Sequence, residues 1–279
     1  MAIITFWSNE KSETAQTLSI AAVATQLAIE HNYKILVLST KYNDKTLESC
    51  FWDLNKAGSL VENIMGGKRV ALDSGIDGLA KVISSNRTTP EIITNYTKIV
   101  FKDRLEILFS SVAQTENDYV AVRENYSDVL QIANRYYDLI FVDLNKGLDN
   151  DFSRKILMES DIVVVNLTQR LLLINEFAKL KEKEEFLTKR NVITIIGRYD
   201  RFSKYSAKNI ARFYRTKKEP GIIPYNTLFF EACSEGKIAD YFLRMRNLDK
   251  EDRNAIFVDE VKKVGESLLL KLQELQTRI

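Results

Sequence analysis

The chain has 279 residues, enough for one large domain or two small ones. With 45% hydrophobic and 28% charged residues it reads as a folded globular protein, not a disordered one. Its 40 basic and 38 acidic residues nearly cancel, which excludes binding to nucleic acid or anionic lipid through global charge and leaves only local patches. One histidine, His31, and two distant cysteines, Cys50 and Cys233, supply neither metal-ligand spacing nor a histidine-based triad. Each cysteine is expected to be a small buried residue. No stretch is apolar enough to cross a membrane, and "MAIITFW" lacks the basic start of a signal peptide, so a cytoplasmic protein is expected.

In chain order, "IITFW" (3–7) predicts a strand buried on both faces, followed by a helix over 14–30 that ends near His31. Further buried runs are "KILVLS" (34–39), "LEILFS" (105–110), "DLIFVDL" (138–144), "DIVVVNL" (161–167) and "VITIIG" (192–197). Helical patterns over 126–136 and 172–188 lie between them. Such alternation predicts an α/β fold with a mainly parallel sheet and helices on both faces. With three prolines and no Ser/Gly-rich linker, one domain over 1–279 is the simplest organisation. "NIMGGK" (63–68) is expected to be a turn or helix C-cap, because no strand precedes it. Near the end, Val261, Val264, Leu268, Leu272 and Leu275 recur at helical spacing and predict a closing helix packed on the sheet.

The segment joining the first strand to the first helix, "SNEKSETAQT" (8–17), stands where a nucleotide-binding fold places a glycine-rich phosphate loop, yet it has no glycine. Glu10 and Glu13 suit the N-terminal end of a helix, and Ser12 or Thr14 could cap it, which accounts for the segment without any ligand. Much later, "YDLIFVDLNKG" (137–147) ends a buried strand on Asp143, which is either a metal or water-organising acid or a residue bonded to loop N–H groups.

This order of elements resembles the ParA/MinD family of deviant Walker A ATPases, whose loop runs Lys-Gly-Gly-x-Gly-Lys-Thr-Thr. Laid on that pattern, Glu10 replaces the first lysine, Lys11 and Ser12 the paired glycines, Thr14 the third glycine and Ala15 the Walker lysine. Gln16 replaces the Mg²⁺-binding threonine, and only Thr17 matches. At the end of the second strand, where the family has an Asp-x-Asp-like turn, "LSTKYND" puts Ser39 and Lys41. "VITIIGRYDRF" (192–202) resembles the strand bordering the adenine, with Gly197 where the family often has asparagine. "IIPYNTLFFEACSEGKIADYF" (222–242) resembles the adenine-side loop and following helix, with Pro224 and Asn226 at the matching positions.

The resemblance implies a P-loop NTPase-like fold and a site for ATP or ADP with Mg²⁺. It assigns nucleotide contacts to Lys11, Ser12, Thr14, Gln16, Thr17, Pro224 and Asn226, with Lys11 and Asp143 as candidate catalytic groups and Asp143 as candidate metal ligand. The lost glycines hinder closure of backbone N–H groups around phosphate. An alanine cannot neutralise charge developing on a transferred phosphoryl group, which typically costs about 10²–10³-fold in rate. A degenerate phosphate loop and no efficient hydrolysis are therefore expected, unless Lys11 bends back to supply the charge.

Residues 198–218 hold eight basic side chains and one acidic one. Arg198 and Arg201 start this run, and Lys204, Lys208, Arg212 and Arg215 fall at spacings that place them on one helical face. The stretch is either a solvated helix face or a surface for DNA phosphates, anionic headgroups or an acidic partner. The resemblance also implies a homodimer, and it allows the last helix to bind a membrane peripherally, at the inner face. The functional expectation is a non-catalytic or weakly nucleotide-binding positioning or scaffold factor for a pilus, secretion, conjugation or partition machinery, nearest to atypical members serving the Tad pilus. The alternatives are a slow or partner-activated Mg-ATPase and a DNA-binding partition-type protein.

Overall fold

The computed structural model describes residues 1–9, 14–54, 74–85, 89–145, 151–184, 187–188, 191–214, 216–249 and 252–277. Strand β1 (Ala2–Trp7) leads into helix α1 (Gln16–Glu30) and β2 (Ile35–Ser39). Then come α2 (Thr46–Ser49), α3 (Gly75–Ser84), a 3₁₀ turn (Pro90–Asn95), β3 (Thr97–Phe101) and β4 (Leu105–Leu108). Helices α4 (Glu116–Glu124) and α5 (Tyr126–Ala133) precede β5 (Leu139–Asp143), α6 (Asp151–Glu159) and β6 (Ile162–Leu167). Last are α7 (Leu171–Lys183), β7 (Val192–Tyr199), α8 (Ala207–Phe213), β8 (Gly221–Pro224), α9 (Thr227–Ser234), α10 (Ile238–Met245) and α11 (Arg253–Gln276).

The sheet runs β3-β4-β2-β5-β1-β6-β7-β8 and is parallel except where β3 pairs antiparallel with β4. This is the expected mainly parallel α/β architecture. The central strands are apolar on both faces because each face is covered. Along β1, Ile4 and Phe6 point into one core layer while Ile3 and Trp7 point into the other, the two-residue period of a strand. The first layer is roofed by α1 and α11, the second by α3, α5 and α7.

Helix α1 lies between the sheet and α11, which is why its alanines (Ala21, Ala22, Ala24, Ala28) are all buried. They combine high helix propensity with the small size that a crowded layer needs. Gly265 of α11 lies against the Leu27 side chain of α1, so a Cβ there would force that side chain to shift. Phe257, Val261, Val264, Leu268 and Leu272 of α11 are buried, as expected for a closing helix, so its apolar stripe is used in the core and not presented to a membrane. No helix among the described residues is long and apolar enough to cross a membrane. Cys50 and Cys233, far apart in sequence, are both buried, and their side chains meet. Hydrogen bonding to Cys50 and burial push the Cys233 thiol well up from its ordinary value.

Candidate functional site

The carboxyl ends of β1, β2 and β5 converge beside the start of α1, the place where open α/β sheets take ligands. Asp143, the last residue of β5, has a side chain only 1% exposed. Gln16 donates from Nε2 to Asp143 Oδ1 at 2.6 Å, and Thr17 donates from Oγ1 to Oδ2 at 2.8 Å. Lys41 places its Nζ 2.8 Å from Oδ2 and 2.7 Å from Thr17 Oγ1. Ammonium, hydroxyl and carboxylate thus close a triangle. Gln16 Nε2 also donates to Phe6 O (3.1 Å) and Leu144 O (2.7 Å), tying the first turn of α1 to the ends of β1 and β5.

Backbone geometry aims Lys41 at this point. Thr40 N donates to Asp143 O, and Tyr119 and Tyr126 donate from their hydroxyls to Thr40 O and Ser39 O. The chain leaving β2 is thereby pinned to the end of β5, and Lys41 N caps back onto Ser39 Oγ at 3.2 Å. The lysine side chain is 12% exposed, so the pair is largely removed from water, where charge–charge attraction is strong and an uncompensated charge is costly.

The entry to α1 does not follow the capping expected of it. Its N-cap is Ala15, in the left-handed region at φ 49°, with no side-chain cap bond. Thr14 is buried, but its hydroxyl has no hydrogen-bond partner among the described residues, so it does not cap α1. Its carbonyl instead presses against Gly197 of β7, where any Cβ would collide with it. Lys11 and Ser12, with Glu10 and Glu13, lie outside the described residues, as does the whole of "NIMGGK" (63–68). Among the described residues Asp143 bonds to the side chains of Gln16, Thr17 and Lys41, and no loop N–H group is seen to donate to it.

A cavity of about 290 Å³ opens next to this cluster. Ala15, Gln16 and Thr17 form one wall, Lys41 and Arg198 bring positive charge, and Pro224 and Asn226 face them. Four of the residues assigned to nucleotide contacts, Gln16, Thr17, Pro224 and Asn226, thus line one cavity. Asn226, however, spends its side chain on structure: Oδ1 caps α9 by accepting from Phe229 N (2.8 Å), and Nδ2 donates to Asn254 Oδ1 (2.9 Å). Arg198, at φ 50° in an irregularity between β7 and β8, was singled out in the sequence only as part of the basic run. Its position directly after Gly197 was the available signal. A larger cavity, about 990 Å³, lies at the opposite, amino ends of β7 and β8, away from this chemistry.

Mg²⁺ does not fit here. Both oxygens of Asp143 already accept short bonds, and an ammonium sits where a cation would bind. Mg²⁺ demands oxygens at about 2.0–2.1 Å in a near-octahedral shell. Placed on Oδ2, it would share that oxygen with the ammonium and repel it. No cluster of three metal-binding side chains occurs among the described residues.

The basic run is not one helical face. Ser206 caps α8 by accepting from Asn209 N, so the helix begins after Lys204, and only Lys208 and Arg212 lie within it. Arg201 and Lys204 sit in the preceding turn, over the rings of Phe202 and Tyr205, and Arg215 lies outside the described residues.

No family model matches the chain, and no curated protein does. Solved structures do. The ParA family ATPase from Chlorobium tepidum TLS aligns with a TM-score of 0.68 at 16% identity, over 95% of this chain and 98% of that one. The cell division ATPase MinD of Pyrococcus furiosus aligns with a TM-score of 0.66 at 14% identity, over 95% and 99%. The septum site-determining protein MinD from Pyrococcus horikoshii OT3, complexed with Mg-ADP, aligns with a TM-score of 0.62 at 15% identity, over 97% and 98%. The chain has the fold of the ParA and MinD ATPases.

Proposed function

We propose that this chain is a positioning or scaffold protein on the ParA/MinD fold that does not hydrolyse nucleotide. The observation that carries this reading is the closed cluster of Lys41, Thr17, Gln16 and Asp143. The acid that would organise a metal or a water is consumed in an internal ion pair, while Ala15 stands at the lysine position. Nucleotide is held as a fixed ligand in the cavity between Lys41, Arg198 and Pro224, and it tunes binding to a partner without a turnover cycle. Exposed Tyr225, Leu228 and Phe230 beside that cavity support a homodimer or a docked protein partner on this face. In this reading the partner is cellular machinery of the pilus, secretion, conjugation or partition kind.

Phosphate release from ATP, followed with Mg²⁺ and with excess ATP, is expected to stay at the level of the buffer. Mg²⁺-dependent release that Asp143→Asn abolishes would establish the ATPase instead and sink the scaffold reading.

A second reading rests on Arg201, Lys204, Lys208 and Arg212, all of them solvent-facing and without an ion pair among the described residues. This surface suits DNA or an anionic membrane face. Duplex DNA is expected to bind with an affinity that falls steeply as salt rises. Replacing Lys204, Lys208 and Arg212 with glutamate should remove that binding; unchanged affinity in the triple variant rules the surface out.

A further inference from the structure

We infer that Lys41 is a resident counter-ion, and that it makes this site one for a phosphate-bearing ligand taken without a divalent metal. The inference rests on the nucleotide cavity proposed above. Three observations converge on it.

First, the ammonium is where a metal would be. It contacts Asp143 Oδ2 and Thr17 Oγ1 at 2.8 and 2.7 Å, an acid and a hydroxyl at the carboxyl end of β5 and the first turn of α1. Among the described residues its next acidic neighbour is Asp44, at 4.0 Å. A divalent ion on those oxygens would face the ammonium at near-contact distance, with little water between them to screen the repulsion.

Second, the cavity remains suited to anions. Lys41 and Arg198 set two positive charges against Asp44 along its wall. The start of α1 presents backbone N–H groups, its N-cap Ala15 offers no side-chain cap, and a helix N-terminus attracts phosphate. Third, Ser19 lines the cavity, is fully buried, and has a hydroxyl with no hydrogen-bond partner among the described residues. A buried hydroxyl left unbonded is costly, and a phosphate oxygen or a bridging water relieves it. Lysine therefore supplies by covalent attachment the charge that Mg²⁺ supplies in a metal-dependent site. It does so with three donors instead of an octahedral shell.

The test measures Mn²⁺ binding by electron paramagnetic resonance to the wild-type chain, to Lys41→Ala and to Lys41→Arg. In parallel, ATP binding to the wild type is followed by thermal shift in EDTA and in Mg²⁺. The wild type and Lys41→Arg are expected to bind no Mn²⁺ at the site. Lys41→Ala should bind it at least about tenfold more tightly, because removing the ammonium frees Asp143 Oδ2 and Thr17 Oγ1. ATP should shift wild-type melting equally in EDTA and in Mg²⁺. A Mn²⁺ ion on the wild type that Asp143→Asn removes overturns the inference, and so does a Lys41→Ala protein that gains no Mn²⁺ site. If Lys41→Ala does not fold, Lys41→Gln, which keeps a donor without the charge, takes its place and is expected to gain the same site. ATP binding that requires Mg²⁺ overturns the inference as well. ATP that binds under neither condition removes the nucleotide reading alone, while the Mn²⁺ measurements still decide the role of Lys41.

Discussion

Asp143→Asn is expected to lower the stability of the chain by about 3 kcal/mol, and Lys41→Met by a similar amount, while the double variant loses far less than the sum. An acid kept for catalysis alone behaves differently: its removal usually leaves stability unchanged or raises it, because active-site charges are held at a cost to the fold. Here the acid is the meeting point of three elements. Its carboxylate accepts from Gln16 and Thr17 of α1 and from Lys41 beyond β2. An asparagine at 143 would turn an amide N–H towards either Gln16 Nε2 or the lysine ammonium, donor against donor. It would also leave that ammonium, 12% exposed, without its counter-charge. Lys41→Met leaves the converse fault, a 1%-exposed carboxylate with only neutral donors. Breaking a fully buried pair costs about 3–5 kcal/mol, and the lysine's slight exposure puts this one at the lower end. Replacing both residues removes both unpaired charges, so a coupling of about 2 kcal/mol or more should appear in the double-mutant cycle. Chemical denaturation of the four proteins measures it. Additive losses, or an Asp143→Asn protein as stable as wild type, would show that the pair does not hold the site together.

This cluster also marks how far the sequence could be read. Strands β1, β2, β4, β5, β6 and β7 were legible because each is an apolar run between polar segments, and burial on both faces leaves that signature. Strand β3 escaped because "TKIVF" lies at the sheet edge with its central residues exposed, so it lacks such a run. Strand β8 is four residues long, with glycine at one end and proline at the other, and reads as a loop. At the site, Gln16, Thr17 and Asp143 could be aligned with a known pattern residue by residue. Lys41 was visible only as a residue standing where an acidic turn was expected. Its partner lies 102 residues away, and only the pairing of β2 with β5 brings the two together. The basic run was misjudged for a local reason: Ser206 starts the helix, and spacing was counted through that cap as if the helix were continuous.

Gly197→Asn, the substitution that restores the residue type the ParA/MinD pattern often carries, is expected to destabilise the chain by about 3 kcal/mol and to distort the start of α1. The backbone of β7 at Gly197 meets the Thr14 carbonyl so closely that a Cβ overlaps it, and the Ala15 side chain lies just beyond, at 3.4 Å. The obstruction is main chain, not the far end of a flexible side chain, so it cannot rotate away. Either β7 moves, against its pairing with β6 over Val163–Leu167, or the 14–15 backbone moves. The second is easier, since Ala15 already sits in the left-handed region that side chains rarely adopt and Thr14 leaves its hydroxyl unpaired among the described residues. A displaced Ala15 carries Gln16 and Thr17 with it, and these residues hold Asp143. Gly197→Asn should therefore weaken the Lys41–Asp143 coupling as well as the fold, whereas Ala15→Gly, which relaxes the left-handed position without filling space, should stabilise the chain by about 1 kcal/mol. Thermal melts of both variants, and the coupling cycle repeated in the Gly197→Asn background, test this chain of contacts. A Gly197→Asn protein with wild-type melting and undiminished coupling would mean that the loop before α1 is free to take another path, and that the close approach of Thr14 to β7 does not shape the site.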